Sequence, residues 1–343
     1  MDPKKNPFSP GAGTPPPELA GRGAVIAAAE TALARTKSGR HARSLVLLGL
    51  RGVGKTVLLN RLQELAEAEG YLTVMLEAPE DKKLAAMLVP PLRAALFKLS
   101  RVETARTYAK RGLAVLRAFA SAFKVSMGDV EFGVDAETGS ADSGDLEADL
   151  PEVFLAVGAA AKEAGRAVAL LIDEVQYLNA ADLSALLVSM HKVGQKGLPV
   201  LFFGAGLPQL AALAGEAKSY AERLFEYITV GPLTDDEARA AIQAPVEREG
   251  ARVTDGALRN IVGRTRGYPY FLQEWGSQAW NTAAASPIVE TDAEAASAVA
   301  LKRLDDGFFR VRFDRLTPRE KDYMRAMAEL GPGPTDRAMS QRL

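Results

Sequence analysis

Between the apolar run Ser44–Leu48 and a helical repeat of leucines lies the octapeptide Gly49-Leu50-Arg51-Gly52-Val53-Gly54-Lys55-Thr56. Three glycines within six residues permit a sharp turn that bares successive backbone amides. Such a turn fits a strand-to-helix connection whose N–H groups and helix N-terminus face an anion. Val57, Leu58, Leu62 and Leu65 recur at helical spacing, so the helix opens at about Lys55. In that setting Gly49, Arg51, Gly52, Val53 and Gly54 form a cradle, the Lys55 ammonium meets the outer phosphates of a polyphosphate, and the Thr56 hydroxyl is a ligand for Mg2+.

Further apolar runs at 71–76, 167–172, 200–203 and 227–230 alternate with helical patterns. This alternation predicts an α/β fold, a parallel sheet covered by helices on both faces. The run Ala169-Leu170-Leu171-Ile172 ends in two carboxylates, Asp173 and Glu174. Alone, an acidic strand end means little. More than a hundred residues after the phosphate loop, with α/β pattern between, it completes a P-loop nucleotide site in which Asp173 holds the metal through water and Glu174 polarises an attacking water. ATP and Mg2+ are the cofactors this implies, and Lys55 and Glu174 the catalytic groups.

Composition removes competing chemistries. The 343 residues include no cysteine, which excludes disulfides, thiol catalysis and cysteine-ligated metal centres, and the two histidines, His41 and His191, are too scattered for a metal cluster. Lys and Arg number 42 against 43 Asp and Glu, so any polyanionic partner must use a local patch. No run approaches the roughly 20 apolar residues of a membrane span, and the start, MDPKKNPFSP, lacks the apolar core of a secretory signal. A cytoplasmic protein without a membrane partner is expected.

Residues 1–18, rich in Pro and Gly, read as a flexible tail, and 19–233 as the nucleotide-binding core. Alternating apolar residues around Gly128-Asp129 suggest a hairpin inserted at about 124–135. After Val230 the pattern turns helical. The capping box Thr234-Asp235-Asp236-Glu237 opens a helical lid over 234–310. A second box, Thr317-Pro318-Arg319-Glu320, opens a helix expected to bury Tyr323, Met327 and Leu330 before Gly331. Phe271 and Trp275, four apart, read as core packing, and Arg264 and Arg266 as a solvated face, the alternative being that they reach phosphate from the lid.

Taken together, these motifs resemble the AAA+ ATPases, in particular the branch that holds origin-recognition-complex-like initiators and the STAND signalling ATPases. Gly21 and Arg22 look like that family's "GR" box beside the adenine, and Gly267-Tyr268-Pro269 like the GxP element of STAND lids, whose proline (here Pro269) packs on the base. Arg223, in Tyr220-Ala221-Glu222-Arg223-Leu224, occupies the place of the arginine finger, which implies action in trans on a neighbour's nucleotide and hence a homo-oligomer. The resemblance extends to 311–343, similar to the start of a winged helix-turn-helix domain whose recognition helix does not appear before Leu343. Two departures stand out: Gly204-Ala205-Gly206 carries no Asn, Thr or Ser where a sensor side chain usually sits, and no sensor arginine follows Gly267. Both imply slow hydrolysis suited to a switch.

Ten Lys or Arg against Glu103 alone lie between Lys82 and Lys124, and nine Asp or Glu with no basic residue between Asp129 and Glu152. Arg106, Lys110 and Arg117 share a helical face, as a stripe tracking the phosphates of double-stranded DNA would require. The alternative is neutralisation of that stripe by the acidic segment. The residues thus point to an ATP-binding, slowly hydrolysing switch that self-assembles and acts on DNA or a protein effector. The alternatives are a non-hydrolysing scaffold in a defence or signalling complex, or a regulator of transposition or replication.

Overall fold

The computed structural model of the chain describes residues 1–11, 13–78, 83–125 and 132–330. The elements of the first part are α1 (Gly23–Lys37), β1 (Ser44–Leu48), α2 (Lys55–Ala68), β2 (Leu72–Glu77), α3 (Leu84–Ser100), α4 (Arg106–Ala122), α5 (Leu146–Glu163), β3 (Val168–Asp173), α6 (Ala180–Gln195), β4 (Val200–Gly206), α7 (Leu210–Ala217), α8 (Ala221–Leu224) and β5 (Phe225–Thr229). The five strands are all parallel, in the order β2-β3-β4-β1-β5. Central strands β1, β3 and β4 are buried along their whole length, as expected where helices cover both faces, whereas the edges β2 and β5 are partly exposed.

Alternation along the strands divides the core. Leu45, Leu47, Ala169, Leu171, Leu201 and Phe203 pack with α1 and α2 on one face. Val46, Leu48, Leu170, Ile172 and Phe202 pack with α3, α4, α5 and α6 on the other. The fold class is the one the alternation predicts, and it places the C-terminal ends of β1, β3 and β4 side by side, where the phosphate loop and the acidic pair lie. The fourth strand is longer than its apolar run: Gly204, Ala205 and Gly206, weak strand formers, pair with Val46, Leu47 and Leu48 of β1, and Gly204 also with Ile172 of β3.

The chain divides into two compact units, one of 11–238 with 267–270, the other of Met1–Pro10, Arg239–Arg266 and the residues from Phe271 on. The helices that follow β5 are α9 (Asp235–Arg248), α10 (Asp255–Thr265), α11 (Pro269–Thr282), α12 (Glu290–Leu304), α13 (Arg310–Arg315) and α14 (Pro318–Leu330). Both capping boxes form. The Thr234 amide donates to Glu237 Oε2 at 2.8 Å, and the Thr317 amide to Glu320 Oε2 at 2.8 Å. Trp275 is buried, edge-on to Phe271, and its Nε1 donates to Ser297 Oγ at 2.9 Å, so this pair is core.

Three expectations change. Residues 1–10, part of the expected flexible tail, are held by the second unit. Asn6 Nδ2 donates to Ser277 O and Oγ at 3.1 Å and to Asn281 Oδ1 at 3.0 Å. Trp280 Nε1 donates to Asp2 O at 2.8 Å, and Phe8, 5% exposed, packs on Gly276. Proline denies this segment regular structure but leaves its carbonyls and the Asn6 and Phe8 side chains free to anchor it. Second, Tyr323 and Met327 are exposed, and Ala326 takes the buried position of α14. Ala326 is the one buried residue among those described in α14, and the Leu330 side chain lies outside the described residues. Third, the hairpin expected at 124–135 falls mostly on 126–131, outside the described residues; Val125 and 132–135 on its flanks form no strand. Residues 331–343, the rest of the expected winged-helix start, also lie outside.

Phe8→Ala is expected to lower the unfolding free energy of the second unit by about 2–4 kcal/mol, measured by denaturant titration, with faster amide exchange in α11. Unchanged stability and exchange would show that the first ten residues carry no packing energy.

Candidate nucleotide site

The loop 49–54 leaves β1 and enters α2 through Gly52 at φ +84° and Gly54 at φ +93°. That region is closed to most side chains, which explains both glycines. Gly49 N donates to Gly206 O at 3.1 Å, tying the loop to the end of β4. Lys55, 5% exposed, donates from Nζ to the carbonyls of Gly49 at 2.9 Å and Leu50 at 3.1 Å. Burial pushes its pKa down, Glu174 and then Asp173 pull it back up, and Arg51 lowers it further. The ammonium therefore sits in a site where an additional negative charge would restore part of the lost hydration.

Thr56 Oγ1 donates to Asp173 Oδ2 at 2.6 Å, which joins the start of α2 to the end of β3. The two oxygens are hard donors, and Asp173 is 4% exposed. Among the described residues no group of three or more His, Cys, Asp or Glu could hold a metal ion. A hydroxyl and one carboxylate, with the remaining positions left to water and phosphate oxygens, is a donor set that fits Mg2+. Glu174 follows in the left-handed region, φ +54°, with its amide on Asp173 Oδ1 at 2.8 Å. Its carboxylate is the charge that acts most strongly on Lys55.

The flanks of the loop are pinned by residues of two kinds. Arg22, 8% exposed, donates to Val53 O at 3.1 Å and Gly231 O at 2.7 Å. Burial lowers its pKa, and Glu237, close against Gly21, raises it. The sequence suggested Gly21 and Arg22 as a base-side pair; in the structure the guanidinium is hydrogen-bonded to the loop backbone. Pro269 is the first residue of α11, half-buried, and the residues on either side of it touch the loop. The Tyr268 hydroxyl donates to Arg51 O and the Tyr270 amide to Gly52 O at 3.2 Å. Arg51 itself is exposed and donates to the Tyr177 hydroxyl. Sequence reasoning did not single out Tyr177, Tyr268's hydroxyl or Tyr270, since no local pattern announces a contact between residues so distant in the chain.

Arg223 does not join this cluster. It lies exposed on α8, immediately before β5. β5 runs parallel to β1, with Phe225 beside Ser44 and Thr229 beside Leu48. Five strand residues, about 16 Å, therefore separate its end of the sheet from Gly49, more than an arginine side chain reaches. The basic stripe is also rearranged. Arg106 pairs with Glu103 at 2.6 Å, Arg111 with Glu137 at 3.1 Å and Arg117 with Asp135 at 3.3 Å, which leaves Lys110 exposed. The acidic segment thus lies on the basic helix, in line with neutralisation. Arg264 and Arg266 are exposed, as a solvated face requires.

A loop of this geometry beside an acidic strand end narrows the family, and residues 18–203, over half of the chain, match the AAA ATPase domain. The chain belongs to the AAA ATPase family. Residues 306–340 of this AAA ATPase match a domain of unknown function (DUF8462). No curated protein matches it in sequence. Among solved structures it is similar to the Walker-type ATPase PABY2304 of Pyrococcus abyssi, with TM-score 0.59 and 17% identity, covering 98% of this chain and 91% of that one. It is similar also to the Aeropyrum pernix ORC2 protein, with TM-score 0.52, 15% identity and coverage of 96% and 80%. The Thermotoga maritima RuvB Holliday junction branch migration motor follows with 0.50, 16%, 94% and 82%. At such identities these likenesses show the fold, a P-loop NTPase core of AAA+ type. No helix among the described residues is long and apolar enough to cross a membrane.

Replacing Arg22 with Met is expected to leave the carbonyls of Val53 and Gly231 without their donor and to cost about 1–3 kcal/mol of stability. Thermal and denaturant unfolding of the variant measure this; an unaltered midpoint would show that water replaces the guanidinium.

Proposed function

We propose that the protein is a Mg-ATP-dependent switch that hydrolyses ATP slowly and assembles with copies of itself. The observation that supports this reading is the single cluster of Lys55, Thr56, Asp173 and Glu174 at the C-terminal ends of β1 and β3. In this reading the amides of 49–54 and Lys55 bind the β- and γ-phosphates, and Thr56 and Asp173 hold Mg2+, which supplies positive charge at the terminal phosphate. Glu174 orients a water whose oxygen forms the new bond to the γ-phosphorus as the bond to the β–γ bridging oxygen breaks. The proton of that water passes to Glu174, and ADP and phosphate leave. In this reading residues 19–233 carry the site, 234–310 are the helical lid after it, and 311–343 are the start of a winged helix-turn-helix domain.

Arg223 motivates the assembly. An exposed arginine at the end of the sheet remote from Lys55 can reach a phosphate only on another copy, where a fixed cation stabilises charge developing in the transition state. The missing sensor side chain at Gly204-Ala205-Gly206 supports slow turnover, and a slow cycle lets occupancy determine which partner, a protein effector or double-stranded DNA, the assembly engages. Because Arg106 and Arg117 are engaged by carboxylates, the α4 stripe lends DNA little support.

Two variants test the reading. Glu174→Gln is expected to retain ATP binding, lose hydrolysis by about 100-fold or more, and trap an ATP-bound assembly visible by light scattering after chromatography. Arg223→Ala is expected to lower turnover at least about ten-fold and to shift the ATP-bound protein toward monomer. If Glu174→Gln turns over ATP like the unaltered protein, the catalytic assignment is wrong. If Arg223→Ala changes neither rate nor size, action in trans is wrong.

A further inference from the structure

Two residues after Glu174 lies Gln176, in a short 3-10 turn spanning Val175–Tyr177. Both faces of its amide are used. Nε2 donates to Glu174 Oε2, and Oε1 accepts from the Leu207 amide at 3.0 Å. One half-buried side chain thus bridges the carboxylate to the backbone immediately after β4, across 31 residues of sequence. The strand end makes room for it. A Cβ at Gly206 would lie 2.8 Å from Gln176 Oε1 and 2.7 Å from Leu210 Cδ2. The glycines of Gly204-Ala205-Gly206, which in the sequence look like the loss of a polar group, leave the space that an amide from β3's turn enters.

The bridge constrains the carboxylate at a useful place. Glu174 lies in the left-handed region with its backbone N–H donating a hydrogen bond to Asp173 Oδ1, and its negative charge raises the Lys55 pKa. A glutamate side chain has three rotatable bonds and, if untethered, samples many orientations. The Gln176 amide engages Oε2 and leaves Oε1 to accept from a water. A neutral donor also holds the carboxylate without placing a second positive charge beside it, as an arginine or lysine would.

We propose that Gln176 is a positioning residue for Glu174, held in register by the Leu207 amide and admitted by the absent side chain of Gly206. This rests on the reading of Glu174 as the water-orienting group. Among the described residues Gln176 hydrogen-bonds to Glu174 and Leu207 and to neither the phosphate cradle nor the metal-ligand pair, so it acts on rate through Glu174 and not on affinity. The contact to Leu207 also links the carboxylate's orientation to the end of β4, whose Gly206 carbonyl receives the Gly49 amide. Loop, strand end and carboxylate form one hydrogen-bonded circuit.

The test uses the full chain with Mg-ATP. Hydrolysis is followed by single-turnover kinetics, which resolve slow rates, and ADP affinity by calorimetry, in the unaltered protein, Gln176→Met, Gly206→Ala, Glu174→Asp and the double variant Gln176→Met with Glu174→Asp. Gln176→Met keeps length and removes both hydrogen bonds. It is expected to slow hydrolysis about ten- to a hundred-fold with ADP affinity within about two-fold of the original. Gly206→Ala, which displaces the amide without touching Glu174, is expected to act in the same direction and serves if Gln176→Met does not fold. In the Glu174→Asp background, where the shortened carboxylate has withdrawn from the amide, Gln176→Met should cause little further loss. An unchanged rate in Gln176→Met, a loss equally large in both backgrounds, or a rate loss matched by lost ADP affinity overturns the proposal. If Glu174→Asp itself hydrolyses ATP at the original rate, it is the assignment of Glu174 that fails, whatever Gln176 does.

Discussion

A lysine ammonium that has lost nearly all contact with water needs compensation, and in this chain the compensation organises the site. Lys55 rests on the carbonyls of Gly49 and Leu50, facing Glu174 and Asp173, at the one place where β1 stops and α2 begins. Burial alone would favour a neutral amine. The two carboxylates and the carbonyls of Gly49 and Leu50 favour the cation, while the helix N-terminus and loop amides beside it favour an anion. The rest of the core can be understood as what holds this arrangement still: a central strand buried on both faces fixes the loop's entry, Asp173 fixes the helix start through Thr56, and Arg22, Tyr268 and Tyr270 fix the loop's carbonyls from outside.

That division of labour accounts for which groups carry charge to the phosphates and which do not. Arg22, by type a phosphate ligand, spends its guanidinium on two backbone carbonyls, where a planar donor fork serves better than a lysine would. Arg51 is exposed and meets a tyrosine. Gln176 supplies the neutral link between the acidic pair and β4. Among the described residues of the first unit, Lys55 and Arg51 place positive charge at the cradle, and a further cation, from another copy, is the role proposed for Arg223.

Much of the site was legible because its signals are local. Gly52 and Gly54 announce a backbone that only glycine adopts easily, Lys55 and Thr56 stand side by side in the first turn of α2, and Ile172-Asp173-Glu174 combines a buried run with charge at its end. The parallel sheet was legible for the same reason, since strands covered on both faces read as unbroken apolar runs. What stayed hidden depends on contacts between distant segments. Arg22 reads as half of a base-side pair, and its bonds to Val53 and Gly231 join segments far apart in the chain. Gly206 reads like a deletion until Gln176 fills the space. Residues 1–10 look like a tail because proline and glycine signal missing regular structure, while the docking of Phe8 and Asn6 depends on α11, more than 260 residues away. The charge runs were visible, but their pairing, Arg111 with Glu137 and Arg117 with Asp135, required the fold.

The account stands on the Lys55 cradle capturing a magnesium-bound triphosphate, and isothermal titration of Mg-ATP into the intact chain and into Lys55→Ala tests it directly. The account predicts one saturable heat for the unaltered protein, with micromolar affinity or tighter, and weakening of at least about 100-fold, near 2.7 kcal/mol, once the ammonium is removed. The same heat from both proteins, or none from the unaltered chain with either ATP or ADP, would contradict it.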